Sequence, residues 1–169
     1  METVPQQEIE RKWILKCLPS NIIFNEVITI QQYYVKIDGK PCRIRYSSYH
    51  NDPDPENVKT EVIHKENVGY GSNIEHHYNI TREEADSIID ALPIEDRIYV
   101  HKVRYVKNYD GYKVEIDNFY GVTLIMMEVE VPHIDFPIVF DELIEKEILM
   151  EVTGNKNFNN YNLTANVFR

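Results

Sequence analysis

The chain has 169 residues, 43% of them hydrophobic and 27% charged, with a formal net charge of −10 and a pI of about 5.0. That composition fits one soluble globular domain over residues 1–169, long enough to bury a sizeable core. The acidic balance argues against nucleic-acid or anionic-membrane partners, though it leaves room for a basic pocket inside an acidic shell, and no apolar run nears the roughly 20 residues of a membrane span. Met1-Glu2-Thr3-Val4-Pro5-Gln6 lacks a basic region followed by an apolar run, so no export signal is expected and a cytoplasmic location is. Cys17 and Cys42 then read as free thiols.

Residues 7–16 read as the first strand. Within it, Glu8-Ile9-Glu10-Arg11-Lys12 places Glu8, Glu10 and Lys12 on one face and Ile9, Arg11 and Trp13 on the other. Leu18-Pro19-Ser20-Asn21 breaks it. Val27 to Ile37 is a second strand, turned by Asp38-Gly39 into a hairpin partner over Cys42 to Tyr49. Arg43-Ile44-Arg45 there puts both guanidinium groups on one face. Val58 to Glu66, with Lys65 near its end, and Ile74 to Ile80 are further strands around the turn Gly69–Asn73, which no helix follows and which is therefore no phosphate loop. Thr81 and Glu84 have capping-box spacing, opening a helix whose stripe is Ala85, Ile88, Ile89 and Leu92 and which Pro93 ends. Ile98 to Lys107 carries Lys102 and Arg104 on one face, Tyr112 to Phe119 carries Glu115 and Asp117, and Val122 to Val131 carries Glu128 and Glu130. Helical spacing of Leu143, Ile144, Ile148 and Leu149 predicts a second helix over Val139 to Met150, and a short helix is expected after Asn162.

Five strands thus show a charged–apolar–charged triplet, with like charges two apart and Ile or Val between them. The plain alternative is a sheet with a charged solvent face. Yet like charges along one strand cost free energy unless a ligand or a cross-strand partner compensates. Closing about eight antiparallel strands gives a mainly β, α+β protein: a barrel with alternating inside and outside residues and a few helices packed outside. With the charges inside, Glu8, Glu10, Glu115, Asp117, Glu128 and Glu130 would face Lys12, Arg43, Arg45, Lys65, Lys102 and Arg104. The basic set suits a polyanion with several phosphoryl groups. The acidic set suits Mg²⁺ or Mn²⁺. Together they describe metal-assisted phosphoryl transfer from a triphosphate.

These motifs closely resemble the CYTH family, the triphosphate tunnel metalloenzymes. The Glu-x-Glu-x-Lys strand at residues 8–12 is its hallmark. The match continues through Ile30-Gln31-Gln32-Tyr33-Tyr34, Arg43-Ile44-Arg45, the strand ending at Lys65, Lys102-Val103-Arg104-Tyr105, Val114–Phe119, Met127-Glu128-Val129-Glu130 and the tail Glu151-Val152-Thr153-Gly154 with Phe158, Asn160 and Leu163. The resemblance implies an eight-stranded antiparallel tunnel. It implies metal binding, with two ions expected, by Glu8, Glu10, Asp117, Glu128 and Glu130. It further implies triphosphate binding by Lys12, Arg43, Arg45, Lys65, Lys102 and Arg104, with Lys12, Glu10 and Lys65 as the catalytic residues.

The tail and the Gln-x-Tyr strand look most like the short inorganic tripolyphosphatases, so a metal-dependent hydrolase cutting inorganic triphosphate to pyrophosphate and phosphate is the expected function. A nucleoside triphosphatase or class IV-type adenylyl cyclase, or a tunnel that binds polyphosphate or nucleotide without turnover, remain alternatives, and a homodimer is compatible with the sequence. The chain departs from the family where it has Ile63-His64-Lys65 for Thr-Ile-Lys, Tyr33 for a common Gly, and His77 and Asn79 after Glu75 for alternating acids. His76 and His77 are neighbours on a strand and face opposite ways, so they do not form one metal site.

Overall fold

Strands form where charged or polar residues alternate with β-branched and aromatic ones, a pattern that suits a sheet with two different faces. The computed structural model describes residues 4–160, 162 and 163. Its elements are β1 (Gln6–Leu15), β2 (Glu26–Ile37), β3 (Lys40–Tyr49), β4 (Lys59–Gly69), β5 (Ser72–Asn79), α1 (Arg82–Asp90), β6 (Ile98–Tyr109), β7 (Tyr112–Phe119), β8 (Ile125–Glu130), α2 (Glu142–Glu145) and β9 (Ile148–Glu151). The strands run β5-β4-β3-β2-β6-β7-β8-β1, all pairs antiparallel, and β1 pairs back onto β5 to close an eight-stranded barrel. Asp38 and Gly39, both at positive φ, make the two-residue turn that sets the β2–β3 register.

The barrel is charged inside and apolar outside. Trp13, Val114, Ile116, Met127 and Val129, all buried, form the outer layer on one side under Ile144 of α2. On the other, Ala85 and Ile89 of α1 pack on Val35, Ile44, Tyr46 and Val62. α1 starts as its sequence demands: Thr81 Oγ1 accepts from Glu84 N, and the Glu84 carboxylate accepts from Thr81 N. A third cluster gathers Ile14, Tyr34, Val100, Phe119 and Met126, each two residues beyond a polar lumen residue on its own strand, against Phe158 and Leu163. This apolar layer fills one end of the lumen. Among the described residues no helix is long and apolar enough to cross a membrane.

The second helix is a correction. The predicted helix over Val139 to Met150 is reduced to the single turn of α2, capped by Asp141, and Ile148–Glu151 forms β9 instead. The cause lies in β1. β5 pairs with β1 only over Gln6–Ile9, so the same edge from Glu10 onward needs other partners. Glu10 N donates to Gly71 O, Lys12 N donates to Thr153 Oγ1, Val152 N donates to Lys12 O, and β9 pairs with Trp13–Leu15. Leu149 and Met150, read as part of an apolar stripe, are more than half exposed. The helix expected after Asn162 lies largely outside the described residues, as do residues 1–3.

Candidate active site

Strand period alone puts Glu8, Glu10 and Lys12 on the inner face of β1. Register decides what they meet. Glu10 stands opposite Glu130 and Lys12 opposite Glu128; on the next strand Lys113 faces Glu130 and Glu115 faces Glu128. Arg104 stands opposite Asp117, Lys65 opposite Glu75 and Arg45 opposite Glu61. A slip of one residue in any of these ladders would turn its charges outward. The outer residues of β1 behave as expected: the Arg11 guanidinium lies 5.0 Å from the centre of the Trp13 ring and pairs with Glu151 at 2.9 Å.

The cations converge from β1, β3, β4 and β6. Lys12 Nζ is 2.8 Å from Glu128 Oε1 and 3.6 Å from Glu10 Oε2. Lys65 Nζ reaches Glu10 at 2.9 Å, Glu75 at 3.2 Å and Glu8 at 3.4 Å. Arg43 donates to Glu75 Oε1 at 2.6 Å. Arg104 grips both oxygens of Asp117, at 2.7 and 2.8 Å, and pairs with Glu115 and Glu128. Lys102, wholly buried, donates to Asp117 Oδ2 at 2.5 Å. Arg45 differs. Among the described residues no carboxylate lies within ion-pair distance of it, and its Nε meets only Gln32 Oε1 at 3.4 Å. Burial, then Arg43 and Arg104, hold its guanidinium down near 10. Arg43 Nε is likewise buried without an acceptor. Positive charge at these two groups is therefore only partly offset within the lumen.

Burial opposes the charge on Lys12 and on Lys65, but carboxylates outweigh it. Glu128 and Glu10 lift Lys12, and Glu10 and Glu75 lift Lys65, above the usual lysine range. Lys102 goes the other way: burial, then Arg104 beside it, hold it down near 8 despite Asp117. Burial also disfavours the Asp117 and Glu128 carboxylates, yet Arg104 and Lys102, and Lys12 and Arg104, keep them below the usual range.

A divalent cation is tested by the donors themselves. Glu10 and Glu130 face each other across β1 and β8, like charges directly opposed. Glu10 Oε2 is buried with no hydrogen-bond donor. Burial, followed by Glu75, pushes the Glu8 carboxyl up to about 8, and burial, followed by Glu115, raises Glu130. Even with Lys12, Lys65 and Lys113 beside them these acids crowd one another, and carboxylate oxygens are what a hard cation takes. Glu8, Glu10 and Glu130, with Glu128 beside them, therefore fit such an ion. Asp117 is committed to Arg104 and Lys102. Lys113 Nζ, 2.9 Å from both Glu115 and Glu130, acts as an internal counter-ion where the acids crowd. Among the described residues no three His, Cys, Asp or Glu side chains converge tightly enough to enclose an ion.

The structure brings all twelve expected lumen residues to one interior. It adds others. Glu75, 3% exposed, is central to the cationic wall. Lys113 sits two residues before Glu115, on the same face, and strand alternation could have found it. Gln32 and Tyr34 are inner residues of an uncharged stretch, with Gln32 Nε2 donating to Tyr34 Oη at 3.0 Å, and no charge pattern marks them. His64 and His76 are paired on the outside, ring centres 6.0 Å apart, while His77 faces in; the two adjacent histidines are indeed split. At the barrel end away from the apolar layer, Gln6, Glu8, Asn108, Lys113 and Glu130 line an open cleft of about 570 Å³.

A closed antiparallel barrel whose lumen holds opposed carboxylates among lysine and arginine side chains defines a charged-tunnel protein. No family model matches the chain. It is 29% identical over 165 residues to an inorganic triphosphatase of Acetivibrio thermocellus, covering 96% of both chains. Its fold is similar to the crystal structure of the inorganic triphosphatase NE1496, with a TM-score of 0.58 and 20% identity, covering 93% of this chain and 97% of the other. It is also similar to the PH1819 protein of Pyrococcus horikoshii OT3, with a TM-score of 0.53 and 16% identity over 82% of this chain and 85% of that one. The chain has the fold of these proteins, and the resemblance to the triphosphate tunnel metalloenzymes read from its sequence is borne out.

Proposed function

We propose that this protein hydrolyses inorganic triphosphate to pyrophosphate and phosphate with Mg²⁺ or Mn²⁺, working as a single tunnel domain. The observation that carries this reading is Arg45, a half-buried guanidinium beside Arg43 and Arg104 with no carboxylate partner among the described residues. An oligophosphate supplies the several negative oxygens that such a wall lacks. The relative of 29% identity, an inorganic triphosphatase along nearly its whole length, supports the choice of substrate.

In this reading Arg43, Arg45, Lys65, Lys102 and Arg104 take the phosphoryl oxygens, displacing carboxylates such as Glu75 that hold them in the free protein. Asp117 keeps Arg104 and Lys102 aimed into the lumen. Glu8, Glu10, Glu128 and Glu130 would hold a metal, which would supply Lewis-acid polarisation of the reacting phosphoryl group and of a water. In the overall reaction a water oxygen bonds to the terminal phosphorus and its proton passes to solvent, while the bridging P–O bond breaks and pyrophosphate leaves with that bond's electron pair. Lys12 stays an ammonium and offsets charge that develops on the phosphoryl oxygens. Incubating the purified protein with tripolyphosphate should release phosphate only when Mg²⁺ or Mn²⁺ is added; no release above a chelated control from neutral to alkaline pH would end the proposal.

A further inference from the structure

His77 stands in the lumen between two carboxylates. One ring nitrogen, Nδ1, is 3.2 Å from Glu61 Oε1 and the other, Nε2, is 2.9 Å from Glu75 Oε2. Carboxylate oxygens only accept, so both contacts are hydrogen bonds only when both ring nitrogens carry hydrogen. The second oxygen of Glu75 is the one that occupies the phosphate-binding wall: Oε1 accepts from Arg43 at 2.6 Å and lies 3.2 Å from Lys65. Glu75 is therefore shared between an imidazole and two cations proposed to hold substrate. Burial opposes its charge, but Arg43, Lys65 and Arg45 hold its carboxyl down near 2, so it stays an anion.

We propose that His77 is a positioning residue that sets triphosphate affinity through Glu75. By donating from Nε2 to Glu75 Oε2 it draws charge from Glu75 and leaves Arg43 and Lys65 freer for phosphate. Without that donor Glu75 gives its full charge to Arg43 and Lys65 and competes with the substrate. Among the described residues the charged groups facing His77 include Glu75 on β5 and Glu61 on β4, and behind them Lys59 and Lys65 on β4 and Arg43 and Arg45 on β3. Lys59 pairs with the same Glu61 oxygen at 2.7 Å, so Glu61 anchors the ring from behind while Glu75 transmits its state. The His77 side chain is 19% exposed.

The inference rests on the proposed triphosphate site and is tested by binding as well as turnover. KM for tripolyphosphate at saturating Mg²⁺ should be about fivefold higher for His77→Leu than for the wild type, with little difference in kcat. His77→Gln, which keeps an N–H donor for Glu75, should recover most of that loss. Metal-free calorimetry with tripolyphosphate should show the same order of affinities, and the His77 imidazole resonance should shift as tripolyphosphate is added. Equal affinities for wild type and His77→Leu in both measurements would overturn the inference and leave hydrolysis standing. Absence of hydrolysis with His77-dependent binding intact would overturn the proposed reaction and leave the inference standing.

Discussion

Lys12 shows how burial and charge compete at one residue. Its ammonium is taken out of water, which favours the neutral amine, yet Glu128 and Glu10 win and keep it charged. A lysine held that way serves as a fixed positive charge before it serves as a base. Lys12→Ala should lose about a hundredfold in turnover of tripolyphosphate, and Lys12→Arg should keep a detectable part of it. Steady-state rates decide this, and an Arg variant as inactive as Ala that still binds triphosphate normally would point to an amine-specific role. Glu10 and Glu130 make a second case. Glu10→Gln or Glu130→Gln keeps side-chain size but removes a charge from the crowded acids, so each should lose metal-dependent activity while its circular dichroism stays native. Full wild-type rates at limiting Mg²⁺ would remove these carboxylates from the ligand set. At this scale the alternation of charged and apolar residues made most of the lumen legible. It could not reveal Glu75 as a hub, because that follows from which strand lies beside β4, nor the commitment of Asp117 to Arg104 and Lys102, because that follows from register.

Among the elements, the β4–β5 hairpin and β9 carry the closure. The barrel closes where β5 meets only the first part of β1, and the turn residue Gly71 continues the contact by accepting from Glu10 N at 2.8 Å. Gly71 has φ +65, and a Cβ there would come within 2.7 Å of Glu10 O and 2.8 Å of Ile134 Cδ1. Gly71→Ala should therefore cost about 1–3 kcal/mol in urea unfolding and disturb the strand that carries Glu10; unchanged stability would show that the hairpin tip moves freely away from β1. The wholly buried Ile144 pins α2 on the outer layer, and Ile144→Ala should cost roughly 2–5 kcal/mol. The eight barrel strands and α1 were readable because each has its own periodicity and turn signals. β9 was not. Its apolar residues share helical spacing with Leu143 and Ile144, and what makes them a strand is the unpaired edge of β1, more than a hundred residues earlier in the chain.

The whole molecule places most of its apolar packing outside the barrel and its buried ion pairs inside, so its stability must follow pH. Glu75 has its folded pKa depressed to about 2, against burial, by Arg43 and Lys65; Glu61, Asp117 and Glu128 are also held low by neighbouring cations. Each such group stabilises the fold above the ordinary carboxyl range, and that contribution is lost as pH falls from 4.5 towards about 2. The urea midpoint of the metal-free protein should drop across that window, and a flat midpoint would contradict the pairing. Glu8 has the opposite sign: its folded pKa is raised from 4.5 to about 8, so its contribution is complete below 4.5 and lost as pH rises towards 8. Glu8→Gln should raise the metal-free midpoint at about pH 8 and leave it unchanged near 4.5. The central claim is chemical, and phosphorus NMR of tripolyphosphate incubated with the full chain and Mg²⁺ tests it most directly. The account predicts one pyrophosphate and one phosphate for each triphosphate consumed, with both signals absent for Glu10→Gln. Tripolyphosphate left intact by the folded, metal-loaded wild type would contradict it.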